Sequence, residues 1–259
     1  MGDALRMHVR PTLNEAALVA AFEGWNDAGE AATCAVRYLA EAIRAVPLAS
    51  IDCEEFLDLT VRRPVLHIGS RGERKVEWPR TEFSYGSVDA SRELVLCQGI
   101  EPHVQWRRYV DLVAEVVSRL NIRRVILLGA YVADVVYSRP VTVTGFATSA
   151  RMLEEIGVAP SRYQGPTGIV GVLGERLEQQ GVAFASLWAG LPHYISAAPN
   201  PRGALALLQV ASAALGIKID DEPLREDAAD FEERISAIVS ADPELAEYVR
   251  QLKRREFAQ

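Results

Sequence analysis

Cysteine is scarce in this chain of 259 residues. Cys34, Cys53 and Cys97 are the whole set. No two of them stand in a CxxC spacing, which argues against a structural zinc site or a thioredoxin-like motif. An odd set lying partly in apolar runs reads instead as reduced thiols, buried in a cytoplasmic protein. Histidine is equally sparse: His8, His67, His103 and His193 lie too far apart for metal-ligand spacing, so no metal is expected. Basic residues number 28 against 35 acidic ones, a net charge of -7. Such a balance argues against a nucleic-acid partner, and the one dense basic run, Lys253-Arg254-Arg255, reads as a solvated helix end. No apolar stretch approaches the roughly 18 residues of a membrane span, and Met1 to Asn14 has no signal-peptide core. The P-loop pattern and the GxSxG elbow are missing too. Gly165-Pro166-Thr167-Gly168 carries a proline where a dinucleotide fingerprint needs an adaptable loop, so no cofactor is expected.

What is present is apolar and periodic. Hydrophobic residues make up 49% of the chain, enough for one full core. Ala16 to Phe22, Glu93 to Cys97, Arg124 to Gly129 and Val182 to Leu187 read as buried strands, and Val141 to Thr144 alternates with period two. Asp27-Ala28-Gly29-Glu30 has the spacing of a capping box opening a helix toward Ala45. A second helix is expected from Trp106 to Leu120. Between them, residues 51–85 carry broken apolar pieces, Val65 to Ile68 and Val76 to Trp78, which suggest short strands or a hairpin at a sheet edge. Strands alternating with helices predict an α/β fold, a three-layer αβα sandwich around a mainly parallel sheet. After Ile219 the composition turns acidic. Leu224, Ala228, Phe231, Ile235 and Val239, then Leu245, Val249 and Leu252 beyond Pro243, recur at helical spacing. The expected division is an α/β domain over residues 1–219 and a helical extension over 220–259 that packs on the core or on a neighbouring subunit.

Polar residues collect where strands end, which is where ligands bind in parallel α/β sheets. Glu23, Trp25, Asn26 and Asp27 follow the first strand, Glu101 and His103 another, Tyr131 and Asp134 a third, His193 and Tyr194 the last. Convergence of these groups would make an acid-base pocket: Glu23, Asp27, His103 and His193 are the candidates for proton transfer, Trp25, Asn26, Glu101, Tyr131 and Tyr194 for ligand contact. Thr167 and Gly168 precede a helix whose free N–H groups suit an anion. A structural role accounts for the same residues: Asn26 or Asp27 as a helix cap, Gly24 and Gly29 in tight turns, Gly168 at a close packing contact, and the histidines as surface groups. Trp106 and Tyr109, beside Arg107 and Arg108, suit either an interface or the core.

The most specific stretch is Gly190-Leu-Pro-His-Tyr-Ile-Ser-Ala-Ala-Pro-Asn-Pro201, running through Gly203 to Leu215-Gly216-Ile-Lys-Ile219. Asn200 stands at a helix N-cap position, Pro201 at the first helical residue and Gly216 at the C′ stop. With Glu23-Gly-Trp-Asn-Asp-Ala-Gly-Glu30 and Gln164-Gly-Pro-Thr-Gly-Ile-Val-Gly-Val-Leu173, this stretch resembles the PAC2 family, named after a proteasome assembly chaperone, over about residues 14 to 219. The resemblance implies a fold similar to purine nucleoside phosphorylases and a helical tail of the actinobacterial type. It also implies a homo-oligomer, for which a trimer is the first expectation, acting as an assembly factor or binding scaffold. The alternative is a small-molecule enzyme: a hydrolase, a phosphorylase, or the carboxylate-amine ligase that family labels suggest. Some archaeal relatives dock on proteasome rings through a penultimate tyrosine. Here the sequence ends Phe257-Ala258-Gln259, a departure that argues against a proteasome partner.

Overall fold

The computed structural model describes residues 4–257. Along the chain the strands are β1 (Leu5–Met7), β2 (Ala17–Glu23), β3 (Val46–Asp52), β4 (Val65–Ile68), β5 (Arg74–Glu77), β6 (Arg80–Ser87), β7 (Glu93–Ile100), β8 (Arg124–Ala133), β9 (Val143–Ala147), β10 (Ala159–Pro160) and β11 (Ala183–Pro192). The helices are α1 (Ala31–Ala42), α2 (Trp106–Arg119), α3 (Ala150–Glu155), α4 (Ile169–Gln179), α5 (Pro201–Leu215), α6 (Glu222–Ala241) and α7 (Pro243–Phe257). Ala258 and Gln259 of the C-terminal tripeptide lie outside the described residues.

The runs with no polar face form the centre. β7, β2, β8 and β11 lie side by side, all parallel, and β11 keeps unbroken register with β8 from Ala183 against Arg124 to Pro192 against Ala133. Both faces of such strands must be covered. Leu18, Ala20 and Phe22 of β2 meet α2 and α4 on one side. Ala17, Val19 and Ala21 meet α1 and α5 on the other. Two core layers therefore sandwich a nine-stranded sheet in the order β1-β3-β6-β7-β2-β8-β11-β9-β10. Toward its margins the pairing turns antiparallel, at β3–β6, β6–β7 and β11–β9, the β6–β7 connection alone being hairpin-short, and β10 again runs parallel to β9. β9 begins two residues later than the alternation of Val141 to Thr144 suggests, because its pairing with β11 starts at Val143 opposite Ala189.

Local signals fare unevenly. Asn200 caps α5, its side chain accepting from the Gly203 N–H at 3.0 Å, and Gly216 ends the helix at φ 64°. Asp27 does not close a capping box. A 3-10 turn over Ala28–Glu30 intervenes, with Gly29 and Glu30 both left-handed, so α1 starts only at Ala31. The Asp27 carboxylate instead reaches forward to the Ala32 N–H at 2.7 Å and to the Thr33 hydroxyl. The expected short strands of residues 51–85 do form a hairpin, but it stands off the sheet edge. β6 joins the main sheet, whereas β4 and β5 pair only with each other. Pro64 and Pro79 flank the pair and withhold the N–H groups that would extend its ladders. Trp106 is half-buried, and Tyr109 is fully buried core, edge-on to Phe22 and Phe56, with its hydroxyl on Thr81.

The tail docks. Phe231, Ile235 and Val239 of α6 and Val249 and Leu252 of α7 form a third apolar cluster with Val136 and half-buried Tyr137, Tyr194 and Ile195 at the ends of β8 and β11. Leu224 belongs to the main core on the α5 side. Polar ties reinforce the seam: the Tyr38 hydroxyl donates to the Asp220 carbonyl at 2.7 Å, and Gln209 donates to Asp221 at 2.8 Å. Among the described residues no helix is long and apolar enough to cross a membrane.

Candidate functional site

The residues singled out from the sequence separate into two groups at the C-terminal edge of the parallel strands. The first centres on Glu101, one residue past β7. Its Oε1 accepts from Asn26 Nδ2 at 2.7 Å and from the Ile169 N–H at 2.9 Å, while Oε2 accepts from the Trp25 N–H at 3.2 Å. Its own N–H donates to the Glu23 carbonyl at 2.9 Å. The carboxylate thus caps α4 from outside the helix, and the anion suited to that N-terminus is a side chain of this chain. Gly168 makes the closure possible. A Cβ there would lie 2.0 Å from Asn26 Oδ1 and 2.8 Å from Glu101 Oε1. Asn26 is fully buried, and its backbone carbonyl accepts from the Ala130 N–H at 2.8 Å, tying the β2 exit to β8.

Other members of the first group turn away from this joint. Glu23 pairs with Arg62 of the β3–β4 connection. His103 faces the same connection: its Nδ1 accepts from the Asp58 N–H at 2.7 Å, which leaves the ring proton on Nε2. Trp25 projects into solvent at 62% exposure. Thr167 is exposed, its hydroxyl set against Gly171, where a Cβ would come within 2.0 Å. Asp27 points inward to α1. Burial pushes its carboxyl above the usual value, against the opposing pull of the Thr33 hydroxyl and the Ala32 and Thr33 N–H groups.

The second group lies at β11. His193 Nδ1 stands 3.1 Å from Asp134 Oδ1, and its ring meets those of Tyr194 and Tyr248 edge-on at 5.5 and 5.6 Å. The Tyr194 hydroxyl accepts from the Tyr137 N–H at 2.9 Å and donates to the Val135 carbonyl at 3.0 Å, bracing the β8–β9 loop. Tyr131 lies across Gly190 in the strand register and is 40% exposed. A histidine oriented by a carboxylate is the arrangement of a general base. Here, however, the pair is open to solvent and packed between tyrosines.

A small cleft of about 80 Å³ opens where the β8–β9 loop, the start of α5 and α6 meet, over Leu191, Ile195, Phe231 and Ile235. None of the candidate catalytic or ligand-contact residues lines it. Arg202 does, donating to the Arg139 carbonyl at 2.7 Å and facing Glu232 at 3.4 Å. Arg202 lies within the Gly190–Gly203 stretch but carries no signal of its own there, Arg62 and Tyr248 have no motif around them, and only the folded chain gives all three their partners. Among the described residues, no three His, Cys, Asp or Glu side chains group as a metal site would require.

The PAC2 family profile matches residues 21–239. The chain belongs to the PAC2 family. A PAC2 family protein from Streptomyces avermitilis is 38% identical, with a TM-score of 0.83 over 90% of this chain and 99% of its own. A Mycobacterium tuberculosis proteasome-assembly chaperone homologue is 39% identical, with a TM-score of 0.82 and the same coverage. An archaeal proteasome activator from Pyrococcus furiosus, at 19% identity and a TM-score of 0.72, shares the fold. No curated protein sequence matches the chain.

Proposed function

We propose that this PAC2 protein is a homo-oligomeric assembly factor, a binding scaffold for protein subunits in the cytoplasm. The observation that carries the proposal is the 39% identity to a proteasome-assembly chaperone homologue, sustained over 99% of that chain. The strand-end chemistry supports the same reading. Glu101 accepts from the Asn26 amide and the α4 N-terminus, so these groups hold the β2, β7 and α4 ends together, and of them only Asn26 Oδ1 is left buried without a partner.

Native mass spectrometry of the purified chain, alone and mixed with unassembled proteasome subunits, tests the proposal. The expected result is a self-associated species that binds those subunits before ring closure. Absence of any such complex, together with selective turnover in a metabolite mixture, would replace it with the enzyme reading.

A further inference from the structure

The β4–β5 hairpin is a two-stranded ribbon with every strand residue exposed, and such a ribbon is marginal in water by itself. Its apolar side chains include Ile68 at 71% exposure, with Val65, Val76 and Trp78 at 50% or more. Its charges lean one way. Arg71, Arg74 and Lys75 have no ion-pair partner among the described residues, and Arg63 stands beside the ribbon in the same condition. An opposite surface exists elsewhere on the chain. Between α1, the segment 197–201 and α6 runs an open groove whose uncovered apolar surface is Ala197, Ala198, Pro199 and Ile238, the last 56% exposed, above the already buried Leu224, Phe231 and Ile235. Asp227, Asp230 and Glu233 form its exposed rim, again without ion-pair partners, and Arg234, set over the Phe231 ring, is the one cation among the lining residues, so the rim stays acidic.

We propose that the hairpin of one copy of this chain docks in the α1–α6 groove of the next. The contact rests on the reading that the chain self-associates, and it specifies which surfaces meet. Both patches combine apolar area with unspent charge, of opposite sign, so association buries hydrophobic surface and pairs Arg74 and Lys75 with Asp227 and Asp230. The two patches of one copy stand apart. The hairpin leaves the sheet at the β3–β6 margin, four strands from β11, whose outgoing loop floors the groove. At about 4.8 Å per strand that is roughly 19 Å. Because the two patches differ, the contact is head-to-tail, and it closes into a ring when its rotation divides a full turn.

Light scattering of the full chain at micromolar concentration tests the pairing through three variants: Arg74→Glu with Lys75→Glu, Asp227→Lys with Asp230→Lys, and all four together. The wild type is expected at a multiple of 28.4 kDa, each pair of reversals at the monomer mass, and the fourfold variant restored. Ile68→Ser with Val76→Ser removes the apolar part without changing charge and should also leave a monomer. Circular dichroism checks that each variant folds. A wild type that is monomeric throughout overturns the self-association reading and the pairing together. A wild-type oligomer that survives either reversal, or a fourfold variant that stays monomeric, overturns the pairing alone.

Discussion

The hairpin at residues 65–77 and the tail at residues 222–257 are both additions to the α/β sandwich, and both carry apolar side chains in a regular pattern. Ile235 of the tail is 5% exposed; Ile68 of the hairpin is 71% exposed. The tail has found its cover within the chain, against Val136 and the Tyr137 and Tyr194 rings. The hairpin has not. Amphipathic pattern therefore says that a face needs a partner and leaves open whether the partner is the same molecule. The position of the element in the fold decides that.

The largest perturbation removes the tail. A chain ending at Ile219 is expected to remain a cooperatively folding α/β domain, since apart from Leu224 and Ala228 the tail's buried residues form a cluster separate from the two that sandwich the sheet. It should lose about 3–5 kcal/mol, the burial of tail side chains less the ordering entropy of its helices. It should also lose self-association, because α6 forms one wall of the groove. Urea unfolding and light scattering read the two effects. A truncated chain without a cooperative transition would show that the tail completes the core.

Single isoleucines sharpen the contrast. Ile235→Ala empties part of a packed cluster and should cost about 2–5 kcal/mol in a urea melt. Ile68→Ala, measured in dilute protein, should shift stability by less than about 0.5 kcal/mol, as an exposed surface change does. Equal losses at the two positions would mean that the hairpin is covered within one copy.

Glu101→Ala falls between these extremes. It strands the Trp25 and Ile169 N–H groups and the Asn26 amide, for an expected loss of about 2–3 kcal/mol. An unchanged unfolding midpoint would show that water replaces the carboxylate without loss.

The smallest effect concerns Asp27 and is read as a pH difference. Burial raises its folded-state pKa above the unfolded value, so between the two the folded state holds the proton more tightly. Stability from this group is therefore full below the unfolded pKa of 3.8 and declines as pH rises through the folded one. Asp27→Asn keeps an acceptor for the Ala32 N–H and removes the titration. Wild-type stability minus variant stability should thus fall as pH climbs from 4 toward neutrality. A difference that rises over that span would reverse the assignment.

Much of this molecule was legible along the chain. Runs of small and branched apolar residues specify strands buried on both faces whatever lies beyond, because no polar side can face water. Asn200, Pro201 and Gly216 specify the limits of α5 by contacts within a few residues. The family itself was readable from three loop stretches, since loops of fixed shape demand particular glycines and prolines. Strand-end polarity was legible as well, but its meaning was not. Glu101 looks like a ligand group until α4 arrives above it, 68 residues later in the chain, and takes its oxygen. His193 looks solitary until Tyr248 packs on its ring. Sequence alone determined what is decided by local propensity and by the two-sided cover of central strands. The tertiary structure decided which polar groups satisfy each other and which apolar faces stay uncovered, because a hydrogen bond or a packed face depends on the distance between elements that the chain brings together only when it folds.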